Sequence, residues 1–66
     1  MSYEQQIKEM NEKIDYYDIS NVIVQKSLYL EIKGYLDIIK DFPESEEVEL
    51  LRKRIEDITD PIPPIN

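Results

Sequence analysis

The 66-residue chain contains no cysteine and no histidine, and Gly34 is its only glycine. The first two absences exclude disulfides, thiolate nucleophiles and the common zinc ligand sets together. A single glycine rules out a Gly-rich phosphate loop, and the alternating Asp/Asn ligands around a central glycine that mark a calcium-binding EF-hand loop are missing too. Alanine is absent while isoleucine recurs from Ile7 to Ile65. That bias points to an AT-rich genome, such as that of a low-GC bacterium, an archaeon or a virus, and carries no information about fold. No apolar run reaches the roughly 18 residues of a membrane span. The N-terminal stretch MSYEQQIKEM is charged and has no apolar leader core, so a cytoplasmic protein is expected.

Positive charge is scarce, with 8 Lys and Arg against 15 Asp and Glu and a net charge of −7. Binding to nucleic acid requires clustered cations that release phosphate counterions, and an anionic membrane surface repels an acidic chain. The expected partner is therefore another protein or a second copy of the chain, with no nucleic acid, membrane or small-molecule substrate. A domain of this size buries only about 60% of the surface its unfolded chain exposes and usually needs disulfides, a metal or oligomerisation. With the first two removed, oligomerisation remains.

Hydrophobic spacing predicts an all-α domain over residues 1–60 followed by a proline-rich tail, 61–66, suited to polyproline II. From Ser2 to Tyr17, apolar residues at Tyr3, Ile7, Met10, Ile14 and Tyr17 form a narrow seam, with Ser2 placed to cap the helix and Gln5 three residues on. Glu4 with Lys8 and Glu9 with Lys13 stand at the favourable i,i+4 spacing. The stretch DYYDISN strings together poor helix formers, and Asp18 or Ser20 suits the cap of a new helix. The same seven-residue period nevertheless runs through it. A single helix of some 40 residues, about 60 Å long, is thus an alternative, with Asn21 inside the seam.

The central helix, from about Asn21 to Asp41, has an apolar arc close to 200° wide at 100° per residue, twice what a surface helix needs. It comprises Val22, Val24, Leu28, Tyr29, Ile32, Tyr35, Leu36, Ile38, Ile39 and Phe42. Behind it runs a second stripe, Ile23, Ser27, Leu30 and Gly34. A competing α+β reading takes Leu28 to Ile39 as a β-hairpin turning at Lys33-Gly34, because β-branched and aromatic residues are dense there. Pro43 ends the central helix. A third helix, from about Glu44 to Ile58, is capped by Asp41 with Glu44 or by Ser45, carries the seam Val48, Leu51, Ile55 and Ile58, and stops at Asp60-Pro61. The fold expected is a three-helix bundle, or a helical hairpin, with coiled-coil-like seams.

Catalysis needs a tuned acid or base, an activated nucleophile or a metal, held in a concave pocket. Carboxylates are plentiful here, but no pair departs from a helix-surface pattern, and three short helices offer little to surround a substrate. The expectation is a non-enzyme with no catalytic, cofactor or metal site. The acidic run Asp41, Glu44, Glu46, Glu47 and Glu49 suits the N-terminus of a helix, where the dipole favours acids. Read functionally, it is a decoy surface that mimics nucleic-acid phosphates to block a basic host protein, as a phage or viral inhibitor would. Tyr3, Tyr17 and Tyr35 fall in the seams; Tyr16 lies off the first seam and Tyr29 at the edge of the arc, where tyrosine favours interfaces. The supply of apolar surface decides between roles. Two narrow seams cannot cover the wide arc and the second stripe, so Ile23, Ser27, Leu30 and Gly34, with Tyr16 and Tyr29, are the expected contact with a second chain, unless loop 15–20 or the tail covers the stripe.

Overall fold

A computed structural model describes residues 2–59, and within them the chain forms three α-helices: α1 (Tyr3–Ile19), α2 (Val22–Ile39) and α3 (Glu46–Thr59). Ser2 caps α1 by accepting from the Gln5 backbone N–H at 3.2 Å. The Gln5 side chain does not return the bond; its amide donates forward to Glu9. The expected Glu9–Lys13 pair does not form either, because Lys13 reaches across to Glu31 of α2 at 3.7 Å.

The chain turns at Ser20 and Asn21, both in extended backbone conformation. Neither Asp18 nor Ser20 caps the next helix: Asn21 does, its side-chain oxygen accepting from the Val24 N–H at 3.0 Å. The freed carbonyls at the end of α1 are met by the Ser20 hydroxyl, which donates to Tyr16, and by the Gln25 side chain, which donates to Tyr17 at 3.0 Å. The single long helix is therefore excluded. Folding back lets α2 bury its wide arc against α1, an option a lone rod does not have.

The hairpin reading of Leu28 to Ile39 is also overturned, since those residues lie within α2. Strand alternation would place Leu28, Leu30 and Ile32 on one face. In the helix Leu28, Ile32 and Ile39 are buried, and Leu30 stands opposite in solvent. α2 stops at Ile39, three residues before Phe42, because Pro43 disfavours helical backbone in the residue before it. The N–H groups of Asp41 and Phe42 close tight turns onto Ile38 and Ile39. Ser45 alone caps α3, its hydroxyl accepting from the Val48 N–H at 3.2 Å.

Contacts give the directions. Lys13 meets Glu31, and Tyr3 packs against Phe42 with ring centroids 4.8 Å apart and planes tilted by 55°, so α2 runs antiparallel to α1. Arg54 bonds Asn11 and Asp15, and Glu47 lies beside Glu4 and Ile7, so α3 returns parallel to α1. Each helix packs on the other two. The shared core is Ile7, Met10 and Ile14 from α1, Leu28, Ile32 and Ile39 from α2, Phe42, and Val48, Leu51 and Ile55 from α3. Each such apolar side chain contributes about 1.5–3 kcal/mol by leaving water. No polar or charged residue is buried among the described residues. The tail, 61–66, lies outside them.

Candidate interaction surface

The core side of α2 fixes what its opposite side presents. With Leu28, Ile32 and Ile39 turned inward, Ile23 and Leu30 project into solvent, 79% and 73% exposed. Ser27 and Gly34 are exposed beside them, so all four stripe residues lie together on the outer face of the bundle. Residues 15–20 do not cover them, since 15–19 are the last turns of α1 and not a loop. The turn between α1 and α2 enlarges the patch with Ile19 at 83% and Val22 at 64% exposure. Val22 belongs to the expected inward arc, but it sits at the first position of α2, at the rim of the contact with α1.

Two details of this face bear on what can cover it. The Ser27 hydroxyl donates to the Val24 carbonyl at 2.9 Å, so burying it strands no hydrogen-bond donor. A Cβ built at Gly34 would meet nothing within 4 Å, and the residue has no positive φ. Mid-helix glycine costs about 0.5–1 kcal/mol relative to alanine, and among the described residues neither packing nor backbone geometry requires it.

The stripe is bordered by unlike charges. At 100° per residue Lys26 and Lys33 lie about 40–60° from Leu30 on the side toward α3, where the partly buried Tyr29 donates its hydroxyl to the Thr59 carbonyl at 3.3 Å. On the α1 side lies an open groove of about 800 Å³, lined by Glu9, Met10, Glu12, Lys13 and Tyr16 of α1 and by Glu31, Tyr35 and Ile38 of α2. Three glutamates against one lysine make it electronegative. Burial, and then the negative charges of Glu31 and Glu9, push the Tyr35 hydroxyl above its ordinary pKa of 10.0.

The six expected interface residues thus divide. Ile23, Ser27, Leu30 and Gly34 share one face, Tyr16 stands half-exposed in the adjoining groove, and Tyr29 is turned to α3. The acidic residues Asp41, Glu44, Glu46, Glu47 and Glu49 are all exposed, grouped around the α2–α3 connection and the first turn of α3. Glu44 lies 3.9 Å from Arg52. Among the described residues no three Asp, Glu, His or Cys side chains cluster to hold a metal ion, and no helix is long and apolar enough to cross a membrane.

Sequence reasoning missed the role of Arg54. It donates to Asn11 at 2.9 Å and to Asp15 at 2.7 Å, with Asp18 at 3.5 Å, tying α3 to α1. Comparison with protein-family models, with curated proteins and with solved structures finds no match to this chain.

Proposed function

We propose that the chain is a non-enzymatic assembly or adaptor module that self-associates through the outer face of α2. The observation that carries this reading is the exposure of Ile23 and Leu30 on a face whose one glycine no contact among the described residues accounts for. Burying two such side chains between copies contributes about 1.5–3 kcal/mol each, and Gly34 and Ser27 let a second helix approach closely. Leu30→Glu tests it: because Leu30 is mostly exposed and lies outside the core, helicity is expected to persist while the mass in sedimentation or light scattering falls to the 7.9 kDa monomer. An unchanged mass rules the stripe out as the contact.

The exposed carboxylates around the α2–α3 connection favour a second reading, an acidic inhibitor of phage or viral type that covers a basic surface on a host protein. Ionic strength separates the two. Capture of a basic partner collapses as salt screens it, whereas an apolar helix contact survives.

A further inference from the structure

The asymmetry of the α2 face sets the direction in which a second copy can lie. We infer that two copies pair with their α2 helices parallel, about a two-fold axis running along α2, so that Lys26 and Lys33 of each copy enter the electronegative groove between α1 and α2 of the other. This rests on the self-association proposed above.

Two independent features carry the direction. The first is lateral. Two identical helices facing one another can be related by an axis along them or by an axis across them, and both lie in the plane of contact. An axis across α2 brings each flank against its own copy: Lys26 and Lys33 meet Lys26 and Lys33, and the groove with Glu9, Glu12 and Glu31 meets the same groove. An axis along α2 exchanges the flanks and places the lysines of one copy over the glutamates of the other. Glu31 keeps nearly half its side chain exposed beside Lys13, so it can accept a second cation. The groove is open and of a size to admit lysine stems along Tyr35 and Ile38.

The second feature is lengthwise. The most exposed apolar residues, Ile19, Ile23 and Leu30 with Val22 beside them, occupy the N-terminal half of the face; at the other end helical spacing continues the stripe to Asp37, and the less exposed Ile38 stands to its side, in the groove. An antiparallel pair centred on Leu30 would press Ile23 against Asp37 and strip water from a carboxylate with no cation in exchange, since Asp37 is already paired with Lys40 at 3.1 Å. A parallel pair sets apolar end on apolar end, and with the two helices crossing at that end the aspartates of the other end diverge into solvent instead of facing one another.

The absence of cysteine from the chain makes the test direct. Ile23→Cys and Leu30→Cys are made singly in the full chain, with Glu56→Cys on the exposed side of α3 as a collisional background, and each is oxidised at micromolar concentration and followed on a non-reducing gel. Both stripe variants are expected to cross-link to themselves about 100-fold faster than the background, since thiols held in one dimer see each other at millimolar effective concentration. An antiparallel pair can bring at most one of the two positions onto its axis, so cross-linking at only one of them overturns the parallel direction. So does cross-linking that appears only when Ile23→Cys is mixed with Asp37→Cys. Sedimentation of the unaltered chain distinguishes the other failure: a monomer at all concentrations removes self-association itself, whereas a dimer with the wrong cross-links removes only the direction.

Discussion

Arg54 ties α3 to α1 through three polar side chains. Its guanidinium spans Asn11 and Asp15 from one side, while Asn11 is itself held by donating to the Ile7 carbonyl at 3.1 Å. Hydrogen bonds to charged groups contribute about 1.5–3 kcal/mol when sheltered and less where solvent reaches them. With about a third of the Arg54 side chain exposed, Arg54→Met is expected to lower stability by about 1–2 kcal/mol. A urea midpoint that falls at unchanged slope, measured on dilute protein, checks it. An unchanged midpoint would mean that the core alone fixes α3. Nothing in the spacing of Arg52, Lys53 and Arg54 marked the third of them. Asn11, Asp15 and Asp18 become its partners only because α3 runs parallel to α1, and that direction follows from two chain reversals and not from any local pattern.

At the scale of elements, the periodic signals and two of the three helix starts, capped by Ser2 and Ser45, were legible, and the cap of α2 was not. Ile7, Met10 and Ile14, like Val48, Leu51 and Ile55, are buried where their three-and-four spacing puts them, because one helix face is all that two neighbours can cover. The turn at Ser20 and Asn21 falls inside DYYDISN, the stretch read as a break, but the cap is Asn21 and not Asp18 or Ser20; an Asn cap is worth about 1 kcal/mol, and the burial of α2 against α1 is what decides against the continuous seam. The outer stripe of α2 was visible by projection alone. The groove beside it was not, since it needs α1 in place. Gly34 joins both scales. Gly34→Ala has room for its methyl and is expected to stabilise the isolated bundle by about 0.5–1 kcal/mol. The same methyl stands where a second helix approaches, so self-association should weaken. Thermal unfolding at low concentration and sedimentation at high concentration read the two effects on one variant. A gain in both would show that the glycine does not serve close approach.

For the whole molecule the decisive quantity is net charge. Two copies each carrying −7, their centres about 25 Å apart at twice the 12.4 Å radius of gyration, repel by about 8 kcal/mol in salt-free water. A Debye length of about 30 Å leaves roughly 3 kcal/mol of this, and one of about 10 Å leaves less than about 1 kcal/mol. The lysine–glutamate contacts over the groove act in the opposite sense. Four exposed pairs of this kind at about 0.3–0.5 kcal/mol each total about 1–2 kcal/mol, and salt removes only part of that, so screening them removes less than screening the whole charge restores. The apolar contact of Ile23 and Leu30 is insensitive to salt over this range. Self-association is therefore expected to tighten by about tenfold or more as ionic strength rises from about 0.01 M to about 0.1 M, and then to level off. Sedimentation equilibrium at several salt concentrations measures it. An acidic chain seated on a basic host protein would behave in the reverse way, losing affinity steadily over the same interval, because there the attraction itself is what salt screens. A dimer that loosened with salt would mean that the lysines and glutamates, and not the apolar stripe of α2, hold the copies together.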